Sequence, residues 1–207
     1  MKDEWLKVFD EKHQYIRNAT RTEVHQKGLW HETFQCWVVT EEDGVHYLYF
    51  QLRSKSKRDF PNKLDITAAG HLLEFENIDD GVREIAEEIG ISVTLDDLVY
   101  LGVIKNQIRM NDFIDNEHSH VYLLNKSFNW DEFHFQDDEV SGIVRANLEE
   151  LKQFTFDHNV ESFQVEGFIV ENDEKVIISK MVDKSDLVPH HSSYFETIIP
   201  WIEKVFK

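Results

Sequence analysis

Apolar residues recur at Ile78, Val82, Ile85 and Ile89, with polar residues between them. That spacing predicts a helix over roughly residues 78–89 with one buried stripe, and Gly90 ends it as a C-cap. Before it, Leu64–Ala69 reads as a strand feeding the helix. Phe34–Thr40 and His46–Leu52 are β-rich on either side of a turn at Glu41–Gly44, which predicts a hairpin. Residues 4–19 read as a short β segment around a turn. Thr20-x-x-Glu23 is a capping-box signal for one short helix that Gly28 would end. Further strands are predicted at Val99–Lys105, His118–Leu124 and Ser141–Arg145. A helix follows over Asn147–Phe154, with Asn147 as its cap. Past residue 155, Gln164–Val170 and Lys175–Ile178 flank a turn at Asn172-Asp173. Phe195, Ile198, Ile199, Ile202 and Phe206 then fall at helical spacing, with Pro200 expected to bend that element.

A length of 207 residues bounds the chain to one domain, or one domain with an appendage. The 41% hydrophobic content is enough for a sizeable core. A single cysteine, Cys36, excludes a disulfide framework and reads as a buried core residue. There is no N-terminal signal-peptide pattern and no apolar run of membrane-span length, so a cytoplasmic protein without a membrane partner is expected. The net charge of −18 argues against nucleic acid as a partner. It leaves an anionic substrate open, because a bound divalent cation inverts the local field.

The predicted 78–89 helix changes the picture most. Glu84, Glu87 and Glu88 stand at i, i+3 and i+4, so three carboxylates share one face, with Asp80 on the same side. Like charges at this spacing cost a helix about 0.2–0.5 kcal/mol per pair. A cation on that face would explain the clustering, and oxygen donors suit Mg²⁺ or Mn²⁺, ions of phosphate chemistry.

Gly70, Glu76, Arg83, Glu84, Ile85, Glu87, Glu88, Gly90 and Ile91 resemble the Nudix box, G-x5-E-x7-R-E-U-x-E-E-x-G-U with U aliphatic. Six residues, not seven, separate Glu76 from Arg83, and the missing one is assigned to the loop before the helix. The resemblance implies an α/β fold, the Nudix α/β/α sandwich with a mixed sheet, over residues 1–155. A C-terminal hairpin-plus-helix extension over 156–207 would pack on the same domain, as a cover or a homodimer element. It also implies roles. The Gly70 carbonyl, Glu84 and Glu88 would ligate the metal, Glu87 would do so directly or through water, and Arg83 and Glu76 would orient loop and helix. Glu117 or Glu87 would be the base.

The likeness continues outside the box. His25, Leu29-Trp30-His31, Gln35-Cys36-Trp37, Gln51-Leu52-Arg53, Lys57-Arg58, Phe60-Pro61, Ala69-Gly70-His71 and Asp115-Asn116-Glu117 resemble the branch of type 1 isopentenyl diphosphate isomerases. In those isomerases, histidines and acidic residues at such positions bind a divalent metal, and a cysteine before the Gly-His pair is the catalytic acid/base. Ala69 stands there in this chain and cannot move a proton. Arg53 and Lys57 match diphosphate-contacting positions. Glu117, with Asp115 and Ser119 on its face of an alternating segment, is the candidate downstream carboxylate for metal or base, and Asp137-Asp138-Glu139 is a rival source. His25, His31 and His71 could form an imidazole metal site with Glu117, although packed histidines holding loops by hydrogen bonds are the favoured expectation. Trp30 is the candidate for stacking on an organic moiety. The expected function is therefore a Mg²⁺- or Mn²⁺-dependent hydrolase of a nucleoside diphosphate derivative or similar small-molecule diphosphate. An isopentenyl diphosphate isomerase-like enzyme and a non-catalytic ligand-sensing module are the alternatives.

Overall fold

The computed structural model describes residues 3–110, 113–172 and 174–207. The expected turn residue Asp173 lies outside them. The described residues form an eleven-stranded mixed sheet and four α-helices. The first strands, β1 (Trp5–Phe9) and β2 (Tyr15–Thr20), form an antiparallel hairpin. Helix α1 (Arg21–Lys27) follows; the Thr20 hydroxyl accepts from the Glu23 N–H and Gly28, at φ 61°, ends the helix.

Strand β3 (Trp30–Glu42) is the organising element, paired along its N-terminal ten residues with β8 (Phe113–Asn125) in parallel. It also meets β1, β4 (Val45–Arg53) and β6 (Ala68–His71), each antiparallel. The single strand expected over Leu64–Ala69 is two. β5 (Leu64–Ile66) pairs with β4, whereas β6 pairs with β3. Thr67 marks the crossing. Its hydroxyl donates to the Tyr49 carbonyl on β4 and accepts from the Val38 N–H on β3, so one side chain fills the gap where the two strands part.

The expected helix over 78–89 also divides. Ile78–Val82 is a 3₁₀ turn, and α2 is Arg83–Ile89, closed by Gly90 at φ 74°. Gly81 packs so closely on Phe34 that a Cβ there would meet the ring at 2.5–2.7 Å. Asp80 accepts the Asn77 N–H at 2.8 Å as a cap and does not join the carboxylate face of α2. Ile85 and Ile89 are fully buried, and Ile78 and Val82 pack against the same cluster. Deleting such a buried side chain, as in Ile85→Ala, costs about 2–5 kcal/mol.

The remaining elements are β7 (Val99–Met110), β9 (Val140–Asn147), α3 (Leu148–Phe156, capped by Asn147), β10 (Ser162–Glu171), β11 (Glu174–Asp183) and α4 (Tyr194–Val205). Strands β10 and β11 extend the sheet beyond β9 in the order β11-β10-β9-β4-β3-β1-β2. Period-2 alternation divides the core by sheet face. Odd-numbered Trp37 and Val39 meet α3 and α4 through Leu151, Phe154, Tyr194, Ile198 and Ile202. Even-numbered Phe34, Cys36 and Val38 meet α2. Helices on both faces make an α/β/α sandwich. Pro200 lies within α4, whose buried stripe Ile198, Ile199 and Ile202 continues past it. No helix is long and apolar enough to cross a membrane among the described residues.

Candidate active site

A cavity of about 470 Å³ opens where β3, β6 and β8 meet α2. Its acidic floor comes from the box helix. The Glu84 carboxylate lies directly over Gly70, where any Cβ would collide with it, so this approach requires glycine. Glu88 accepts from the Ala69 N–H at 2.8 Å and from Gln51 Nε2 at 2.9 Å. Both carboxylates are buried, at 9% and 6% exposure. Burial raises the Glu84 pKa to about 7, against the opposing pull of Arg83. Burial, with the Glu84 charge added, raises that of Glu88 to about 8. Glu87 sits on the rim, 53% exposed.

Arg83 gathers the loop onto this helix. Its guanidinium donates to both oxygens of Glu76 (2.6 and 2.9 Å), to Glu84, to Glu87 (3.0 Å) and to the His71 carbonyl. Glu76 in turn accepts the Leu73 N–H at 2.8 Å. The shortened spacing between Glu76 and Arg83 is spanned by the 3₁₀ turn, which leaves this bidentate pair intact.

Glu117 enters from β8, opposite His31 of β3. Three donors converge on its Oε2: Ser119 Oγ (3.0 Å), Asn106 Nδ2 (3.2 Å) and Gln35 Nε2 (3.3 Å). Burial, with the Asp115 charge next to it, raises its pKa to about 8. Asp115 and Ser119 share its face, as the alternation requires.

The histidines are packed together, and hydrogen bonds account for only part of their polar atoms. His25, His31 and His71 cluster with ring centroids 5.1–5.3 Å apart, and their Nε2 atoms are buried without a hydrogen-bond partner. Asp115 Oδ1, also unpartnered, lies 3.4 Å from the Nε2 of both His25 and His31. His31 Nδ1 donates to the Leu29 carbonyl (3.1 Å), which leaves its Nε2 lone pair facing a carboxylate. Burial lowers the pKa of His31 and, more strongly, of His71, which disfavours a charge on either ring. Lone pairs of imidazole and carboxylate converging in a buried space fit a divalent cation.

The opposite wall is neutralised within the protein. Arg53 donates to Asp65 (3.0 Å) and to the Asp59 carbonyl. Lys57 pairs with Glu139, which accounts for the acidic Asp137–Glu139 segment at this edge. His190, from the segment before α4, donates to Asp65 at 2.8 Å and accepts from Asn106 at 3.2 Å. Burial would raise the Asp65 carboxyl, but the His190 hydrogen bond and the His190 and Arg53 charges outweigh it and hold it at about 2. Phe60, Ile108 and Val188, with Phe113, add an apolar patch. Arg21 of α1 stands at the mouth.

Trp30 is a correction. It is not among the residues lining the cavity. Its even position puts it on the opposite face of β3, stacked on His118 with centroids 4.7 Å apart. Sequence reasoning passed over Arg21, Asp65, Asn106 and His190. Among these only Asp65 carried a local signal, a lone acid in an apolar strand beside the box.

The NUDIX domain family model matches residues 29–164. The chain is 38% identical over 200 residues to an uncharacterised Nudix hydrolase of Clostridium acetobutylicum, an overlap of 96% of this chain and 97% of that one. It is 30% identical over 123 residues to an isopentenyl-diphosphate Delta-isomerase of Aliivibrio fischeri, covering 58% of this chain and 67% of that one. Among solved structures, a Deinococcus radiodurans protein superposes with a TM-score of 0.56 at 20% identity, over 72% of this chain and 86% of that one.

Proposed function

The chain belongs to the Nudix family, and from that premise we propose that it hydrolyses the diphosphate bond of a small-molecule X–diphosphate, such as a nucleoside diphosphate derivative, with Mg²⁺ or Mn²⁺. The observation that carries the reading is a set of buried carboxylates, Glu84, Glu88 and Glu117, lining one cavity with Arg53 and Lys57. The Gly70 carbonyl, Glu84 and Glu88 would hold a cation, with Glu87 at the rim. His25, His71, Asp115 and Glu117 line the same cavity and, with the fully buried His31 behind them, offer two overlapping donor groups, His25-His31-His71 and His31-Asp115-Glu117. A cation bound there supplies Lewis-acid polarisation of the phosphoryl group and a more acidic water.

The protein's own part is to hold charge and move a proton. Arg83, fixed by Glu76, orients the loop and the first turn of α2. Arg53 and Lys57 present guanidinium and ammonium groups to the diphosphate, exchanging part of their contact with Asp59 and Glu139 for the substrate. Glu117, held through Oε2 by Asn106, Gln35 and Ser119, accepts the proton of the attacking water, with Glu87 as the alternative base. Broad screening of phosphoanhydrides with Mg²⁺ or Mn²⁺, with products identified by mass spectrometry, tests this reading. Ligand binding without phosphate products across the panel would instead favour a sensing module.

The isomerase-named relatives motivate one direct control. The cavity presents Ala69 beside Gly70-His71, and Ala69 contributes a backbone N–H to Glu88 and no proton-transfer group. Isopentenyl diphosphate should return unchanged. Formation of the dimethylallyl isomer at a catalytic rate would overturn the hydrolase reading.

A further inference from the structure

The alternation that turns Thr33, Gln35 and Glu117 into the cavity turns Glu32, His118 and His120 to the other face of the same two strands. There they meet His13, in the turn between β1 and β2. That turn is tightly built: the Asp10 carboxylate accepts the N–H groups of Lys12 and Gln14, and His13 N–H donates to the Asp10 carbonyl. His13 has φ 64°, a left-handed conformation that a residue with a side chain rarely adopts. The result is an imidazole seated over Glu32. His118 supports it, stacked on the His13 ring with centroids 4.2 Å apart and bonded through Nε2 to the Asp10 carbonyl at 2.9 Å.

Both nearby imidazoles direct Nε2 at the same oxygen. His13 Nε2 lies 2.8 Å and His120 Nε2 3.0 Å from Glu32 Oε1. His120 is 3% exposed and its Nδ1 has no partner, so Nε2 is its one polar contact. Zinc–ligand bonds of about 2.0–2.2 Å at tetrahedral angles place neighbouring donors about 3.3 Å apart. All three donor atoms lie within 4.8 Å of one another, so side-chain adjustment that opens the two contacts to Glu32 would centre an ion among them. Glu32 also borders an open groove with Phe9, Tyr15 and Asn18.

We propose that His13, Glu32 and His120 form a zinc site, separate from the cavity, that fastens the β1–β2 hairpin to the sheet. Two imidazoles and one carboxylate select a borderline d-block ion over Mg²⁺, which prefers oxygen. Loading it would tie three segments remote in sequence, and its effect falls on stability rather than on turnover.

The full chain carrying His25→Ala, His31→Ala and His71→Ala, which removes the imidazoles of both donor groups at the cavity, is the background for the test. Native mass spectrometry after EDTA treatment and Zn²⁺ titration should find one tightly held zinc per chain, with a zinc-dependent rise in Tm. Adding Glu32→Gln should abolish both. His13→Asn, which suits the left-handed turn, should weaken zinc binding at least about 100-fold, since even outer-shell partners are worth 10–100-fold. It also decides the matter if the Glu32 variant fails to fold. A background protein that binds zinc more weakly than a Kd of about 10 µM overturns the proposal. So does one whose stoichiometry neither substitution changes.

Discussion

Two walls of one cavity carry buried acids in opposite states. Asp65 is as buried as Glu88, yet Arg53 and His190 hold its pKa near 2, while Glu84, Glu88 and Glu117 rise to about 7 or 8. Burial acts alike on all four, so the partner decides. Glu84 has Arg83 alone, shared with Glu76 and Glu87, and Glu88 and Glu117 have amides and hydroxyls only. One wall is neutralised by the chain itself. The other holds carboxyls whose negative charge the chain leaves uncompensated, so they retain protons that a cation would displace.

Charge removal from the uncompensated wall is the strongest way to break this comparison. Glu88→Gln keeps an acceptor for the Ala69 N–H but loses the charge, and should lower kcat by about two to three orders of magnitude with the fold retained. Glu84→Gln should behave similarly. Steady-state kinetics and circular dichroism check both, and a near-normal rate for Glu88→Gln would sink the metal assignment.

On the neutralised wall the same change should act on the fold. Asp65→Asn strips Arg53 of its counter-charge and His190 of a charged acceptor and should cost about 3 kcal/mol, read by urea denaturation. A loss no greater than that of Glu88→Gln would erase the contrast between the walls.

Acidity sharpens it further. The three raised carboxyls bind protons in the folded state that they release when unfolded, at about pH 4.3. Stability of the metal-free protein should therefore fall as pH rises from about 4 toward 8, since the folded state binds the extra protons. Mg²⁺ should raise Tm more at pH 8 than at pH 6, because the site must lose protons to take the ion. Scanning calorimetry with EDTA or Mg²⁺ measures both slopes, and a pH-independent Mg²⁺ effect would contradict them.

Smaller effects separate the substrate contacts. Lys57→Ala should raise KM about tenfold with a lesser change in kcat, as loss of one exchangeable phosphate contact. Trp30→Phe should leave KM unchanged, because Trp30 lies across the sheet from the cavity, whereas a KM increase would return it to the substrate-binding set.

Legibility followed the range of the forces involved. The box residues could be read because Glu84, Glu87, Glu88 and Arg83 interact within one helical turn. Thr20, Gly28, Gly90 and Asn147 likewise announced helix ends through local backbone chemistry. Trp30 misled because its neighbour His31 packs against His25 and His71 on the cavity side of β3, and adjacent strand residues point opposite ways. The clustering of His25, His31 and His71 with Asp115 was not legible because they come from α1, β3, β6 and β8, segments that no local pattern joins.

The sequence by itself determined the family resemblance, the helix that presents the carboxylates, the apolar stripe that seats it and the presence of Ala69 before Gly70-His71. Each depends on spacing within a few residues. Tertiary structure alone decided which acids are neutralised, that His190 from beyond residue 164 reaches Asp65, and that one set of imidazoles meets Asp115 while another meets Glu32. Those outcomes depend on the parallel register of β3 against β8 and on where distant segments return to the sheet. Burial and charge pairing are properties of that assembled space, and no stretch of chain carries them alone.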